Sequence, residues 1–186
     1  SRTDGSGSEP TAARVGGGAG TLQARVDGLI AAYRDQGHIA ARIDPFGRER
    51  ERSPDLSLGF HGLSEGDLDS PIDASSIGLG PSVPVRDAVQ LLEETYCGPI
   101  GAEFMHIQSS EERHWWSSTI EAGRGRIDLT RGDRVHVLDR LIHAEHFEKF
   151  LQKRYPGDKR FSLEGGESLI PMTDHLLERA SELGVE

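Results

Sequence analysis

Cysteine, basic residues and long apolar runs are scarce in this chain, and each shortage argues against a class of protein. Cys97 is the only cysteine among 186 residues, so no internal disulfide can form and a reducing compartment is predicted. Lys and Arg total 21 against 31 Asp and Glu, and the net charge of −10 argues against a nucleic-acid surface, which needs clustered basic residues. No apolar run approaches the ~20 residues of a membrane-spanning helix, so no membrane partner is predicted.

The first twenty residues lack the marks of a targeting segment and of a folded one. No apolar stretch indicates a signal peptide, and Asp4 and Glu9 interrupt the pattern of an organelle transit peptide. Glycine is frequent instead, with a run at 16–18, so residues 1–20 are predicted to be a flexible Gly/Ser-rich linker. The chain begins at Ser1 without a methionine, which favours a processed chain or a fragment.

Beyond the linker, apolar residues recur at helical spacing, and the predicted fold class is mainly α. Leu22, Val26 and Leu29 begin one apolar stripe after Thr21, a candidate N-cap, and the turn at 44–47 ends this helix. The other predicted helices run from Pro84 to the Gly98-Pro99 stop, from 110 to about 122, from about 133 to 154 and from about 171 to 183.

Two stretches between these helices carry no helical pattern. Residues 48–83 are predicted to form an irregular but ordered loop with one short helix near Ser64, and loops of this length are uncommon unless they are functional or disordered. Residues 100–107 are predicted to form an extended apolar segment. The side chains expected to pack the loop are Leu56, Leu58, Phe60, Leu63 and Leu68.

Histidine provides the first candidate site residues. His143 and His146 are three apart on a predicted helix, a spacing that lets two imidazoles share a metal ion, although no third ligand is evident nearby and solvated or hydrogen-bonded histidines are the alternative. His106 lies in the apolar segment, where a hydrogen-bonded core or interface histidine is expected rather than a catalytic one, because no nucleophile arrangement surrounds it.

Cys97 and the adjacent tryptophans are interpreted as packing or contact residues. Cys97 follows Tyr96 and is predicted to be a small buried hydrophobe. Trp115 and Trp116 are neighbours on a helix, so their side chains point about 100° apart. One ring is therefore expected in the core and the other at a contact surface.

The densest combination of unusual residues is 159–171, between two predicted helices. Gly165 and Gly166 precede a helix and could donate backbone amides to an anion, with help from Lys159 and Arg160. Glu164 and Glu167 would repel such an anion. The equal alternative is that these carboxylates support a neighbouring site. The loop matches neither the phosphate-loop pattern nor the dinucleotide fingerprint. The remaining interpretation is a helix-to-helix connection anchored by Leu169 and Ile170.

Five stretches in the same order resemble one enzyme family. They are RVDGLIAAYRDQGHIAARIDPFG at 25–47, FHGLSEGDLD at 60–69, ETYCGPIGAEFMHIQ at 94–108, AEHFEKFLQKRYPGDKRF at 144–161 and KRFSLEGGESLIP at 159–171. Together they cover the chain from about residue 22 to its end and resemble the thiamine-diphosphate-dependent first component of the 2-oxoglutarate dehydrogenase complex, as an N-terminal fragment.

The resemblance implies a fold that changes character along the chain. Residues 21–155 would be the helical N-terminal region, and 156–186 would open a thiamine-diphosphate-binding α/β domain that is truncated at residue 186. The family's His-Arg-Gly-Arg-Leu-Asn motif and its metal–diphosphate signature lie beyond Glu186, so the resemblance assigns no catalytic, cofactor-binding or metal residue here. This chain alone is therefore expected to be inactive.

For the full-length protein, the resemblance implies decarboxylation of 2-oxoglutarate on thiamine diphosphate and Mg²⁺, with transfer of the succinyl group to a lipoyl arm. The implied partners are a second copy, as a homodimer, and the dihydrolipoyl succinyltransferase component, in a bacterial cytoplasm. No cofactor is expected on this segment alone. A fused relative with an upstream acyltransferase domain is also compatible with the Gly-rich start.

A stand-alone helical binding or assembly module is the alternative from another class. The acidic charge, the single cysteine and the tryptophan pair permit it. A reading frame that stops after Glu186 favours the module, and one that continues favours the fragment. In a fragment, Leu176, Leu177 and Leu183 are expected to expose apolar surface that promotes association.

Overall fold

The computed structural model of the chain describes residues 20–48, 50–159 and 162–185. All but the last residue of the predicted linker at 1–20 lies outside this part. Packing divides the chain into two units, with the division between Ile127 and Asp128. Helices dominate both units, as the predicted fold class requires.

The first unit contains three α-helices that begin where their caps predict. Helix α1 is Leu22–Gln36, and the Thr21 hydroxyl accepts a hydrogen bond from the Ala24 amide. Helix α2 is Val85–Tyr96, directly after Pro84. Helix α3 is Ser110–Ala122, and the Ser109 hydroxyl accepts from the Glu112 amide.

The region between α1 and α2 is irregular and ordered. Strands β1, Pro71–Ile72, and β2, Val83–Pro84, pair antiparallel. The helix predicted near Ser64 is a single 3₁₀ turn, Glu65–Asp67, and further 3₁₀ turns are Pro54–Leu56, Gly59–His61 and Ser75–Ile77.

Not every apolar residue of this region packs inward. Leu56 and Leu63 are buried, but Phe60 is 54% exposed, so its predicted packing role is wrong. The Phe60 ring instead contacts His61 edge to face, with the ring centroids 5.2 Å apart. The predicted extended segment at 100–107 also contains no strand, because Ile107 N–H turns back to donate to the Phe104 carbonyl.

The core of the first unit lies between α1 and α2. The α1 side chains Val26, Leu29, Ile30 and Tyr33 and the α2 side chains Val85, Ala88, Leu91, Leu92 and Tyr96 are all buried. A 3₁₀ turn, Gly37–Ala40, follows α1 and approaches α2 so closely that a Cβ on Gly37 would lie 2.5 Å from the Tyr96 Cβ. Only glycine allows this approach.

The second unit is built from two helices. Helix α4 is Arg131–Arg154 and starts two residues before its predicted position, because Thr130 and Asp133 form a reciprocal capping box. Helix α5 is Leu169–Glu182. No residue of the second unit that the structure describes is buried.

Helix α5 and its C-cap carry four apolar residues on the side away from α4. Asp174 contacts His136 of α4, which identifies the inner face. At 100° per residue, Leu169, Met172, Leu176 and Leu183 fall on the opposite face, here called the outer stripe. These side chains are 53%, 66%, 66% and 65% exposed.

The expected apolar surface is thus confirmed, since Leu177 is also 65% exposed. Across the described residues, no helix has the length and hydropathy needed to cross a membrane.

Candidate functional site

The glycine pair of the connection between α4 and α5 uses its amides within the loop. Gly165 has a φ of +86°. Its N–H donates to the Glu167 carboxylate at 3.0 Å, and the Gly166 N–H donates to the Leu163 carbonyl at 2.7 Å. The Gly165 amide also lowers the pKa of Glu167. A carboxylate of the chain itself therefore takes the place that an external anion would need.

An open groove of about 970 Å³ lies between α4 and this loop. Its charged lining is mainly acidic, and one of its two lysines, Lys149, pairs with Glu145 at 2.5 Å. An acidic lining disfavours a phosphate or diphosphate ligand. Arg160, the second cation proposed for an anion site, lies outside the described residues. The groove's acidic side chains are Glu145, Glu148, Asp158, Glu164 and Glu167.

The paired histidines of α4 make separate contacts. His143 Nδ1 lies 3.1 Å from the Asp139 carboxylate, and His146 Nδ1–H donates to the Ile142 carbonyl at 2.8 Å. Both side chains are exposed, which agrees with the solvated interpretation rather than with a shared metal ion. His106 is exposed as well, so it is not a core histidine, and the interface alternative stays a prediction.

A different histidine joins the two helices of the second unit. His136 Nε2 of α4 lies 2.7 Å from Asp174 Oδ2 of α5, and Glu178 provides a third potential ligand close by. The Arg140 Nε is 3.7 Å from the same Asp174 oxygen. Sequence reasoning missed this group because His136 and Asp174 are 38 residues apart, although the four-residue spacing of Asp174 and Glu178 is a local signal.

The tryptophan pair lies at the surface of the first unit. The Trp115 and Trp116 rings contact each other edge to face at 5.1 Å, and they are 58% and 42% exposed. The prediction that one ring is in the core is therefore wrong. The buried positions of α3 are instead Ser117 and Glu121, and Ile120 is partly buried against the core.

Glu121 is the centre of a buried polar network that holds the three helices of the first unit together. Its carboxylate accepts from Arg34 Nε at 2.7 Å, from Arg34 Nη2 at 2.9 Å and from the Tyr96 hydroxyl at 2.7 Å. Burial and the Glu121 charge raise the pKa of Tyr96. Because the carboxylate is 2% exposed and fully engaged, its role is structural.

A second network repeats this chemistry nearer the surface. The Glu93 carboxylate accepts from the Tyr33 hydroxyl and from Arg52. Burial and the Glu93 contact raise the pKa of Tyr33. Each network thus combines one carboxylate, one tyrosine and one arginine.

Cys97 lies beside the second network and is unreactive by its surroundings. It is 4% exposed, and its Sγ is 3.7 Å from the Gly37 carbonyl. Burial raises the pKa of the thiol to about 12, which disfavours the thiolate that nucleophilic chemistry needs. The prediction of a small buried hydrophobe is confirmed.

Known proteins match this chain along most of its 186 residues. No protein-family model matches it. Over 166 residues, 88% of the chain, it is 43% identical to the 2-oxoglutarate dehydrogenase E1 component of Azotobacter vinelandii. It is 45% identical over 160 residues to the 2-oxoglutarate dehydrogenase E1 component of Cupriavidus necator, and 40% identical over 166 residues to the multifunctional 2-oxoglutarate metabolism enzyme of Mycolicibacterium vanbaalenii.

The chain is much shorter than these relatives. It spans 18% of the Azotobacter protein, 17% of the Cupriavidus protein and 13% of the Mycolicibacterium protein. The resemblance carried by the five sequence stretches is nevertheless confirmed by identities of 40–45% along most of the chain. The chain is homologous to one segment of the 2-oxoglutarate dehydrogenase E1 component.

Proposed function

We propose that this chain is the N-terminal helical scaffold of a 2-oxoglutarate dehydrogenase E1 component, together with the opening of its first cofactor-binding domain. The whole protein would decarboxylate 2-oxoglutarate on thiamine diphosphate held with Mg²⁺ and transfer the succinyl group to a lipoyl group. It would act as a homodimer with the dihydrolipoyl succinyltransferase component, in a bacterial cytoplasm. The identity to two E1 components supports this function.

The outer stripe of α5 is the observation that supports the opening of an α/β domain at residues 156–186. A helix of an α/β domain buries its apolar face against a sheet. The outer stripe has no such cover within the described residues, and Gly184, with a φ of +67°, ends the helix before Val185. Residues 156–186 fit the helix and the entry to a strand of such a domain.

The described side chains fit a scaffold better than a catalytic centre. Glu121 and Glu93 are engaged in structural networks, and the Cys97 thiol is buried with a raised pKa. The Gly165 amide is occupied by Glu167. We therefore assign thiamine diphosphate, Mg²⁺ and the chemistry to sequence outside these 186 residues.

Calorimetry with thiamine diphosphate and Mg²⁺ tests this assignment. The two proteins to compare are this chain and the product of the whole reading frame. We expect binding, and decarboxylation of 2-oxoglutarate with an artificial electron acceptor, only in the longer protein. Decarboxylation by the 186-residue chain would refute the assignment, and cofactor binding by it would mean that the loop at 159–167 holds a cofactor contact.

Amide hydrogen exchange tests whether a sheet of the longer protein packs against the outer stripe. The amides of α5 should exchange quickly in this chain and at least 100-fold more slowly in the longer protein, because packing against a sheet suppresses local opening. Helix α1 serves as the internal control, since its core is complete in this chain. Equal exchange of α5 in both proteins would contradict the α/β assignment.

The exposed tryptophan pair supports the alternative of a stand-alone binding module. Aromatic side chains are enriched at protein interfaces, and both rings are accessible. The reading frame separates the two functions directly: a stop codon after Glu186 supports the module, and continuation into a strand followed by the family's catalytic motif supports the E1 component.

A further inference from the structure

The contact between α4 and α5 brings three metal-ligating side chains together. The groups are His136 of α4 and Asp174 and Glu178 of α5, and one ligand atom from each lies within 4.8 Å of the other two. Asp174 and Glu178 are four residues apart and so share one face of α5. The shortest separation is the 2.7 Å between His136 Nε2 and Asp174 Oδ2.

We propose that His136, Asp174 and Glu178 form a zinc-binding site that clips α4 to α5. One imidazole nitrogen and two carboxylate oxygens form a donor set that zinc accepts, with water completing a tetrahedron. Zinc–ligand bonds of about 2.0–2.2 Å place the donor atoms roughly 3.3 Å apart. The histidine and aspartate must therefore separate slightly while Glu178 moves inward.

The packing of the second unit gives an independent reason for a clip. None of its described residues is buried, so the two helices lack the apolar core that normally holds a hairpin together. Cover on the outer stripe from later sequence would leave this inner contact between α4 and α5 unchanged, and a contact without a core is commonly stabilised by a disulfide or a metal ion. A disulfide is excluded because the only cysteine of the chain, Cys97, lies in the first unit.

Arg140 is the group that opposes a cation at this site. Its Nε lies 3.7 Å from Asp174 Oδ2, and its Nη2 lies 3.5 Å from Asp139. The guanidinium thus competes with zinc for the Asp174 carboxylate. The Arg140 Nε makes no hydrogen bond within the described residues, and the same guanidinium already pairs with Asp139 through Nη2, so Asp139 can hold it when zinc takes the Asp174 carboxylate.

The test titrates the 186-residue chain with Zn²⁺ by calorimetry and with Co²⁺ by visible absorption. We expect one equivalent of metal to bind. His136→Ala and the nearly isosteric Glu178→Gln should each weaken binding at least 10-fold, because losing even a residue that only hydrogen-bonds a metal ligand costs about 10–100-fold in affinity. Circular dichroism verifies that both variants keep their helices. Zinc should also slow amide exchange in α5 of the unmodified chain only.

Two further variants make the test specific. His146→Ala removes an exposed histidine of the same helix, whose Nδ1–H donates to the Ile142 carbonyl, and should leave the affinity unchanged. Arg140→Gln removes the competing charge and should strengthen binding several-fold. The proposal is overturned if no single equivalent binds, if His136→Ala binds as tightly as the unmodified chain, or if His146→Ala weakens binding as much as His136→Ala.

Discussion

The two units contain helices of similar regularity but use them differently. In the first unit, α1 and α2 bury their apolar faces against each other, and every buried hydrophobic side chain among the described residues lies at or before Phe104. In the second unit, α4 is the longest described helix, yet neither it nor α5 has a fully buried residue. A well-formed helix is therefore no evidence of a completed domain.

Local interactions explain why the helices of the second unit form without a core. Thr130 and Asp133 cap the start of α4, and Lys149 pairs with Glu145 one turn away. Such interactions contribute only tenths of a kcal/mol to about 1 kcal/mol each, whereas most helical stability in proteins comes from packing. Surface substitutions should therefore have little effect on the stability of the first unit, whereas substitutions in its interior should lower it. In the second unit, surface interactions such as caps should matter, and its described residues form no buried interior to disrupt.

Glu121→Gln should have the largest effect on the first unit. Removing one partner of a buried ion pair typically costs about 3–5 kcal/mol, because the other charge, here Arg34, is left without compensation. Urea unfolding followed by tryptophan fluorescence measures this cost, since both tryptophans lie on α3. Glu145→Gln, which breaks an exposed pair in the second unit, should not move the transition; equal shifts would mean that the Glu121 network is not structural.

Truncation of one leucine in each unit gives a second contrast. Leu92 is 0% exposed, and Leu92→Ala should lower the free energy of unfolding of the first unit by about 2–5 kcal/mol through lost burial and a cavity. Leu176 is 66% exposed, and Leu176→Ala should change stability by less than about 0.5 kcal/mol. A large loss from Leu176→Ala would show that the outer stripe is already covered in the isolated chain.

Gly37→Ala tests the close approach of the turn after α1 to α2. The added methyl group would overlap the Tyr96 Cβ, and overpacking of this kind typically costs about 1–3 kcal/mol. Gly59→Ala is the matched control, because no atom lies within 4 Å of the corresponding Cβ. Chemical denaturation of both variants measures the difference, and similar midpoints would argue against the tight contact.

Removal of a cap should have a smaller effect that differs between the units. Thr130→Ala should fray the first turn of α4 and lower its helix content, because the Asp133 amide loses its acceptor. Ser109→Ala removes an equivalent bond from α3 and should cost the first unit about 1 kcal/mol. Residue-resolved amide exchange distinguishes the two results, and unchanged protection at the start of α4 would contradict the capping role.

The smallest effect concerns alkaline pH. The pKa of Cys97 is raised to about 12 by burial, so the folded state holds this proton more tightly than the unfolded chain does. Its contribution to stability is complete below the ordinary thiol pKa of about 8.5 and is lost as the pH rises towards 12. Thiolate absorbance should therefore show no titration near pH 8.5 in the folded chain; titration there would mean that Cys97 is accessible.

The helices were predictable because their signals are local. Thr21, Ser109 and Thr130 precede apolar repeats, and a cap needs only residues two or three positions away. The burial of Leu56 and Leu63 also follows from their apolar character. The similarity to 2-oxoglutarate dehydrogenase E1 components was predictable for a similar reason, since the five matching stretches are contiguous runs of sequence.

The Phe60 and 100–107 errors involve local contacts, but the error on the tryptophans and the omission of His136 involve contacts between distant residues. The exposure of Trp115 could not be predicted from its size, because Glu121 takes the inner face of α3 only when Arg34 and Tyr96 surround it. The His136–Asp174 contact likewise depends on how α4 and α5 pair. Side-chain type indicates a preference for burial, but its partners decide the outcome.

The outer stripe of α5 also has a consequence for synthesis on the ribosome. The first unit has its core complete by Phe104 and can fold as soon as it has emerged. If later sequence supplies the cover for Leu169, Met172 and Leu176, α5 stays uncovered while that sequence is translated, at roughly 5–20 residues per second. During those seconds the stripe is an exposed apolar surface that a chaperone can bind.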